Sequence, residues 1–268
     1  MGVGHAVCED YATCGCVPNT LYGHIHYAIV SDGCSGSQDT DIGARILSRA
    51  AINVIRDFGH TDNLTYDSAR ESFRKWLVEE IRKFQVILHL PKNMLEATLL
   101  VVVALQDKRW IFGWGDGVIV LKHKDGNLGC TQITYTPNYP AYLSYHFYDP
   151  SEFVSMVHTV QETTFNIPDC QKSLIKTSPV KLGQFDDYQY SADVSNLDLS
   201  HIVLMSDGIE SFSQNGETLD VKGQIKKYTD FKNSNLAFAQ RRMQRMAIEN
   251  KAAGITHYDD LSMATLAF

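Results

Sequence analysis

The 268-residue sequence is short of positive charge: 24 Lys and Arg stand against 31 Asp and Glu, a formal net charge of −7. Nonspecific nucleic-acid binding needs cations that displace counterions from phosphates, so no nucleic-acid partner is expected. Long hydrophobic runs are missing too. Nothing approaches the roughly 20 consecutive apolar residues of a membrane span, and residues 1–10 lack the basic and apolar regions of a secretory signal. A cytoplasmic protein with no membrane partner is the expectation. Cysteine is scarce, at six residues, which does not make a disulfide scaffold. Cys8, Cys14 and Cys16 gather near His5, yet not in the paired C-x2-C form of structural zinc sites, and no second Cys/His pair follows. Reduced, partly buried thiols are expected. There is no low-complexity tract and no long Pro/Gly/Ser linker, which favours a single domain over residues 1–268. No Gly-rich phosphate loop ends in Gly-Lys-Ser/Thr, which argues against nucleotide hydrolysis of that kind.

What is present is 44% hydrophobic residue, enough for a sizeable core. Residues 26–31 (HYAIVS) read as a buried strand ending at Asp32-Gly33. From 41 to about 58, Ile42, Ile46, Leu47, Ile52 and Ile55 predict a helix packed on one face. A second helix is predicted over about 68–88, where Phe73, Trp76, Leu77, Ile81, Phe84, Ile87 and Leu88 recur at helical spacing and Ser68 with Glu71 offers a capping box. Residues 97–105 (ATLLVVVAL), 110–114 and 118–122 then read as strands on short connections, which implies antiparallel neighbours. Residues 123–200 are polar and aromatic and give no clear assignment. Residues 202–205 and 261–268 are further strands, and 235–250 reads as a helix with Leu236, Met243 and Met246 on one side. Helices between strand groups, with antiparallel strands in the middle, indicate an α+β class.

Three strands end alike. Ile29-Val30-Ser31-Asp32-Gly33 is echoed by Leu204-Met205-Ser206-Asp207-Gly208, and more loosely by Gly113-Trp114-Gly115-Asp116-Gly117. Asp259-Asp260 stands before the last strand, and Glu9-Asp10 lies near the amino terminus. Asp-Gly is a common turn dipeptide, because Gly tolerates φ > 0 and Asp bonds its own backbone. Lys124-Asp125-Gly126-Asn127 is read as such a hairpin tip, without chemistry. The repeated apolar-Ser-Asp-Gly ending instead places a carboxylate at the rim of a buried sheet twice. If these strands lie side by side, the carboxylates converge, and their repulsion raises their pKa values unless a cation intervenes. Hard cations such as Mg²⁺ and Mn²⁺ prefer such oxygen ligands, and Gly33 leaves a bare backbone whose carbonyl can turn to a metal. Spacing alone supports a metal site.

In order, the segments Cys8-Glu9-Asp10, Asp32-Gly33-Cys34-Ser35-Gly36-Ser37, Gly115-Asp116-Gly117, Ser206-Asp207-Gly208-Ile209-Glu210 and Asp259-Asp260-Leu261-Ser262 span almost the whole chain. This arrangement resembles the type-2C metal-dependent serine/threonine protein phosphatases, particularly bacterial forms. The resemblance implies a four-layer αββα sandwich, with two central antiparallel β-sheets flanked by helices and the metals at one edge. It implies that Asp32 bridges two Mn²⁺ or Mg²⁺ ions and that the Gly33 carbonyl binds one. Asp207 and Asp259 would ligate the first ion and Glu9 would serve the second, directly or through water, with Asp10 supporting the water shell. Asp116 matches the position that, with Asp207, holds a third, weaker ion in some relatives. The implied reaction is direct attack of activated water on phosphoserine or phosphothreonine, with no covalent enzyme intermediate. The implied partners are a phosphoprotein substrate and a cognate serine/threonine kinase, in a signalling role.

The sequence departs from that pattern in places. His5 stands where many relatives place a phosphate-binding Arg, and either grips phosphate or is structural. Cys34 stands where some relatives carry a His proposed as general acid, leaving that role empty or filled by water. Asp260 stands where Asn is common, and Glu210 is read as a solvated acid. Substrate recognition is expected to differ over 123–200. A cysteine-based phosphatase would need Arg six positions after a cysteine, and none has one. Two alternatives stand beside the reading: a noncatalytic binding or regulatory module of the same fold, and a hydrolase of small phosphoesters.

Overall fold

The computed structural model describes residues 2, 7–58, 61, 64–149, 152, 158–167, 174–180 and 189–268. Its centre is the strand β3 (Leu99–Leu105), all seven residues of which are buried. The two faces of that strand go to different cores. Leu99, Val101, Val103 and Leu105 pack with helices α1 (Thr40–Asp57) and α2 (Tyr66–Leu88). Leu100, Val102 and Ala104 pack instead against a second sheet, as the period-2 alternation of a strand requires. An apolar run without polar interruptions is therefore what a strand covered on both faces looks like.

The first sheet runs β1-β2-β3-β4-β9, adding β1 (Tyr11–Asn19), β2 (Gly23–Ser31), β4 (Lys108–Trp114) and β9 (Tyr190–Asp193). The second runs β14-β10-β5-β6-β7-β8, from β5 (Gly117–His123), β6 (Leu128–Thr136), β7 (His158–Ile167), β8 (Leu174–Val180), β10 (Leu199–Met205) and β14 (Met263–Ala267). Every pairing in both is antiparallel. Val118, Val120, Val203 and Met205 face outward against Ile225 of α3 (Val221–Thr229) and Met246 of α4 (Phe238–Ala252). The order helices, sheet, sheet, helices is the expected four-layer sandwich. A small third sheet, β12-β11-β13, joins β11 (Phe212–Gln214), β12 (Glu217–Thr218) and β13 (Ile255–His257). Among the described residues no helix is long and apolar enough to cross a membrane.

Local details correct the expectations. The capping box of α2 is Thr65 with Ser68, not Ser68 with Glu71, so the helix starts two residues early. Ile42, Ile87 and Leu88 are exposed rather than packed. Leu236 lies before α4, 93% exposed at φ +52°. The unassigned region 123–200 supplies β6 to β9 and a 3₁₀ turn at Leu143–Phe147. The Asp125-Gly126 tip is a plain hairpin turn, with Asn127 N–H donating to Asp125 Oδ1 at 2.9 Å.

Candidate functional site

Both large sheets end in acids at one edge. The β1–β2 register pairs Tyr11 with Ser31, so the next step sets Asp10 beside Asp32. The register of β10 pairs Met205 with Val118 on one side and Met263 on the other. Asp207 therefore leaves β10 between the β4–β5 turn, which carries Asp116, and residues 259–262 before β14. The Asp32 backbone is fixed by Thr98: its N–H donates to Thr98 Oγ1 at 3.0 Å, and its carbonyl accepts the Thr98 N–H at 2.8 Å. Gly33 N–H donates to the Glu9 carbonyl at 3.3 Å.

The two Ser-Asp-Gly glycines serve close approach. A Cβ on Gly33 would stand 2.7 Å from Thr40 Oγ1, and one on Gly208 only 1.7 Å from the Asp260 carbonyl oxygen. Neither glycine is at positive φ. Asp32-Gly33 and Asp207-Gly208 are thus places where chain segments press together, not hairpin turns.

The carboxyl of Asp32 is pressed between those of Asp10 and Asp207. Burial lifts its pKa well above the ordinary carboxylate value, and the charges of Asp10 and Asp207 lift it further. Burial also raises Asp10, against hydrogen bonds from Asp32, Ser206 and Ser262 that favour its charged form; Ser206 Oγ donates to Asp10 Oδ2 at 2.6 Å. Asp207 is pushed up to about 6 by burial first, with Asp259 and Asp10 adding to it. Asp116, buried, is held well above its ordinary value by burial and then by Asp207. Among the described residues no hydrogen bond of ordinary geometry reaches the buried Oδ1 atoms of Asp10 and Asp207. Among the described residues no group of three or more His, Cys, Asp or Glu is spaced to close on an ion as it stands. The donor chemistry nevertheless fits a hard divalent cation: adjoining buried carboxylates whose orphaned oxygens a positive charge would satisfy.

Asp260, 1% exposed, adds its charge to the rise of Asp10, but its oxygens serve the backbone. Its Oδ1 accepts the Gly2 N–H at 2.7 Å and its Oδ2 the Glu9 N–H at 2.9 Å, fastening the segment that carries Glu9 and Asp10. A carboxamide has a single acceptor oxygen, which gives the Asp at this position a structural reason. Glu9 and Asp259 are half-buried, and the charge of Asp259 acts on both Asp207 and Asp116. His5 lies outside the described residues.

Glu210 is not the solvated acid expected. It sits one 3₁₀ turn after Asp207, and burial pushes its pKa to about 7 against a hydrogen bond from Gln132, with Asp207 adding to the rise. The i, i+3 eclipse of a 3₁₀ turn is the signal that keeps Glu210 beside Asp207. Tyr142 was also missed. Buried, it adjoins Asp116 and Cys34, and burial holds its phenol protonated. Behind it Tyr148 Oη donates to Glu96 Oε1 at 2.6 Å and Ser37 Oγ to Glu96 Oε2 at 2.5 Å, tying the loop after Gly33 to the aromatic segment.

The family profile of protein phosphatase 2C matches residues 4–253. Among solved structures the chain is similar to the serine/threonine phosphatase Stp1 from Staphylococcus aureus (15% identity, TM-score 0.51, covering 100% of this chain and 91% of that one). It is also similar to a bacterial serine phosphatase (15% identity, TM-score 0.53, 99% and 93% covered). A third likeness is to serine-threonine phosphatase 2C from Toxoplasma gondii (10% identity, TM-score 0.51, 99% and 92% covered). Among curated proteins no sequence matches. At these identities the solved structures speak for the fold, and the profile, spanning most of the chain, speaks for descent: the chain belongs to the protein phosphatase 2C family and is by that membership a protein serine/threonine phosphatase.

Proposed function

We propose that the chain, working as one domain, hydrolyses phosphoserine and phosphothreonine in protein substrates at a pair of Mn²⁺ or Mg²⁺ ions held by the acid cluster. The observation that carries this reading is Asp32, whose buried carboxyl is held against those of Asp10 and Asp207. Asp32 would bridge the two ions, with the Gly33 carbonyl on one of them. Asp207 and Asp259 would hold the first ion and Glu9 the second, with Asp10 supporting the second ion's waters; Asp116 with Asp207 would hold a third. Bound there, such ions would lower the pKa of water and offset the charge of phosphoryl oxygens.

The chain's own residues supply the positioning. Thr98 fixes the backbone of Asp32, Ser206 orients Asp10, and Asp260 holds the Glu9 segment in place. Tyr142 and the Glu96–Tyr148 pair form the wall beside Asp116 and Cys34, where residues flanking the phosphoamino acid would lie. The reaction opposes that of a serine/threonine kinase, the expected partner in a cytoplasmic signalling pair. The test is hydrolysis of a phosphothreonine peptide and an aryl phosphate with Mn²⁺, Mg²⁺ or chelator, beside Asp207→Asn. Metal-dependent peptide turnover that disappears in the variant supports the proposal. Turnover of the aryl phosphate alone points to a small-phosphoester hydrolase, and a folded protein inert with every metal points to a noncatalytic module.

A further inference from the structure

The β1–β2 hairpin carries a second set of ligand-type side chains, away from the acid edge. Its register sets Cys14 opposite Ala28, Cys16 opposite His26, and Pro18 opposite His24. Residues directly opposite in an antiparallel pair share a face, and alternate residues along a strand stay on it. Cys14, Cys16, His24 and His26 therefore share one face, and all four are exposed. The same face turns inward at Ala28 and Val30, which are buried between the sheets. The two imidazoles are neighbours, with ring centroids 6.4 Å apart. Cysteine is among the residue types most often buried, so two exposed thiols on a face that also carries two exposed imidazoles, with Cys16 directly opposite His26, are not what packing alone would leave. They are also not the partly buried thiols that the sequence suggested; Cys8 is exposed as well. The further ligand is His26, which strand register rather than linear spacing brings beside Cys16, with His24 next along the same strand.

We propose that this face binds one Zn²⁺ ion through Cys14, Cys16 and His26, neighbours in the register, with the fourth position left to solvent. Two thiolates and an imidazole are the soft and borderline donors zinc takes in tetrahedral sites. The acid cluster offers only oxygen, so the two sites would sort borderline from hard cations. A disulfide is the poorer use of the pair, because alternate residues on a strand are about 6.6 Å apart with parallel side chains, near the limit of disulfide geometry. No three of these groups are drawn together on an ion as they stand, but exposed side chains change rotamer within about nanoseconds. Thiolate, not thiol, ligates zinc, so binding releases protons to solvent as the two sulfur–zinc bonds form, with no change of oxidation state.

The test uses the full chain, stripped with chelator and returned to saturating Mg²⁺, then titrated with Zn²⁺ and, separately, with Co²⁺ as a spectroscopic probe. The expected result is one equivalent of Zn²⁺ that Mg²⁺ does not displace, and a thiolate-to-cobalt charge-transfer absorption. Both should be lost in Cys14→Ser/Cys16→Ser, kept in Cys8→Ser, and weakened at least about tenfold in His26→Ala. No retained equivalent, an equivalent that survives in the double serine variant, or cobalt binding without the thiolate band would overturn the proposal. All four positions are exposed, so these variants should fold, and the readout is independent of whether the chain turns over a phosphopeptide.

Discussion

Asp32 and Asp260 are both acids at the sheet edge, and their surroundings give them opposite consequences when changed. Asp32 meets two other carboxyls, so Asp32→Asn removes an ionisable group from a crowd of like charges while keeping its shape. Turnover should fall by more than the roughly 10–100-fold that loss of a supporting metal-site residue costs. In chelator, however, the variant's Tm should rise above that of the parent, because the amide relieves repulsion. Unchanged turnover, or a lower Tm in chelator, would contradict the crowding inferred at this position. Asp260 accepts two backbone N–H groups, and Asn keeps one acceptor and turns an NH₂ toward the other donor. Asp260→Asn should therefore lose about 1.5–3 kcal/mol, the worth of a hydrogen bond to a charged group. Urea unfolding reads the loss, and amide exchange should quicken at Gly2 and Glu9.

Among the elements, α2 and the sheet it covers are held by aromatic contact. Phe73 stacks on Phe112 with centroids 4.8 Å apart and lies 6.0 Å from Trp114. It is fully buried, so Phe73→Ala should cost about 3–5 kcal/mol, seen as a lower urea midpoint with an unchanged slope. Phe73 and β3 were legible because burial on a helix stripe or on both faces of a strand writes itself into the sequence as periodicity or as an unbroken apolar run. The edge strand β1 was not legible, since only Val17 of its nine residues is buried. Strand β8, another edge, has only Val180 buried. The same limit applied at the site. Repeated Ser-Asp-Gly endings marked Asp32 and Asp207, whereas Glu210 and Tyr142 are placed by a 3₁₀ turn and by a loop folding back, neither of which has a sequence period. The pairing of Cys16 with His26 is a matter of register, which spacing along the chain does not reveal.

The acid centre lies where the ends of both sheets meet, so its charge state acts on the whole sandwich. Asp207 moves from an ordinary 3.8 to about 6, and Glu210 from 4.5 to about 7, both chiefly by burial. Folded protein thus holds these protons after the unfolded chain has released them. Their contribution is unimpaired below pH about 4, where both states are protonated, and stability then falls as pH rises to about 7. The chelated protein should accordingly melt at a lower temperature above pH about 7 than near pH about 4.5. Exposed acids that gain partners on folding, such as Glu249 beside Arg245, act in the opposite sense, but their pairs are solvated and contribute little. Divalent ions should reverse the trend. They compete with protons for the same oxygens, so Mn²⁺ binds better as pH rises, and at about 100 times its Kd adds about 2.7 kcal/mol. Manganese should therefore raise Tm most at the alkaline end of the window, and in Asp207→Asn it should raise Tm little at any pH. If chelated protein instead grew steadily more stable from pH about 4.5 to about 7, and Mn²⁺ shifted Tm equally in the variant, the carboxylates would not be confined against one another in the metal-free fold.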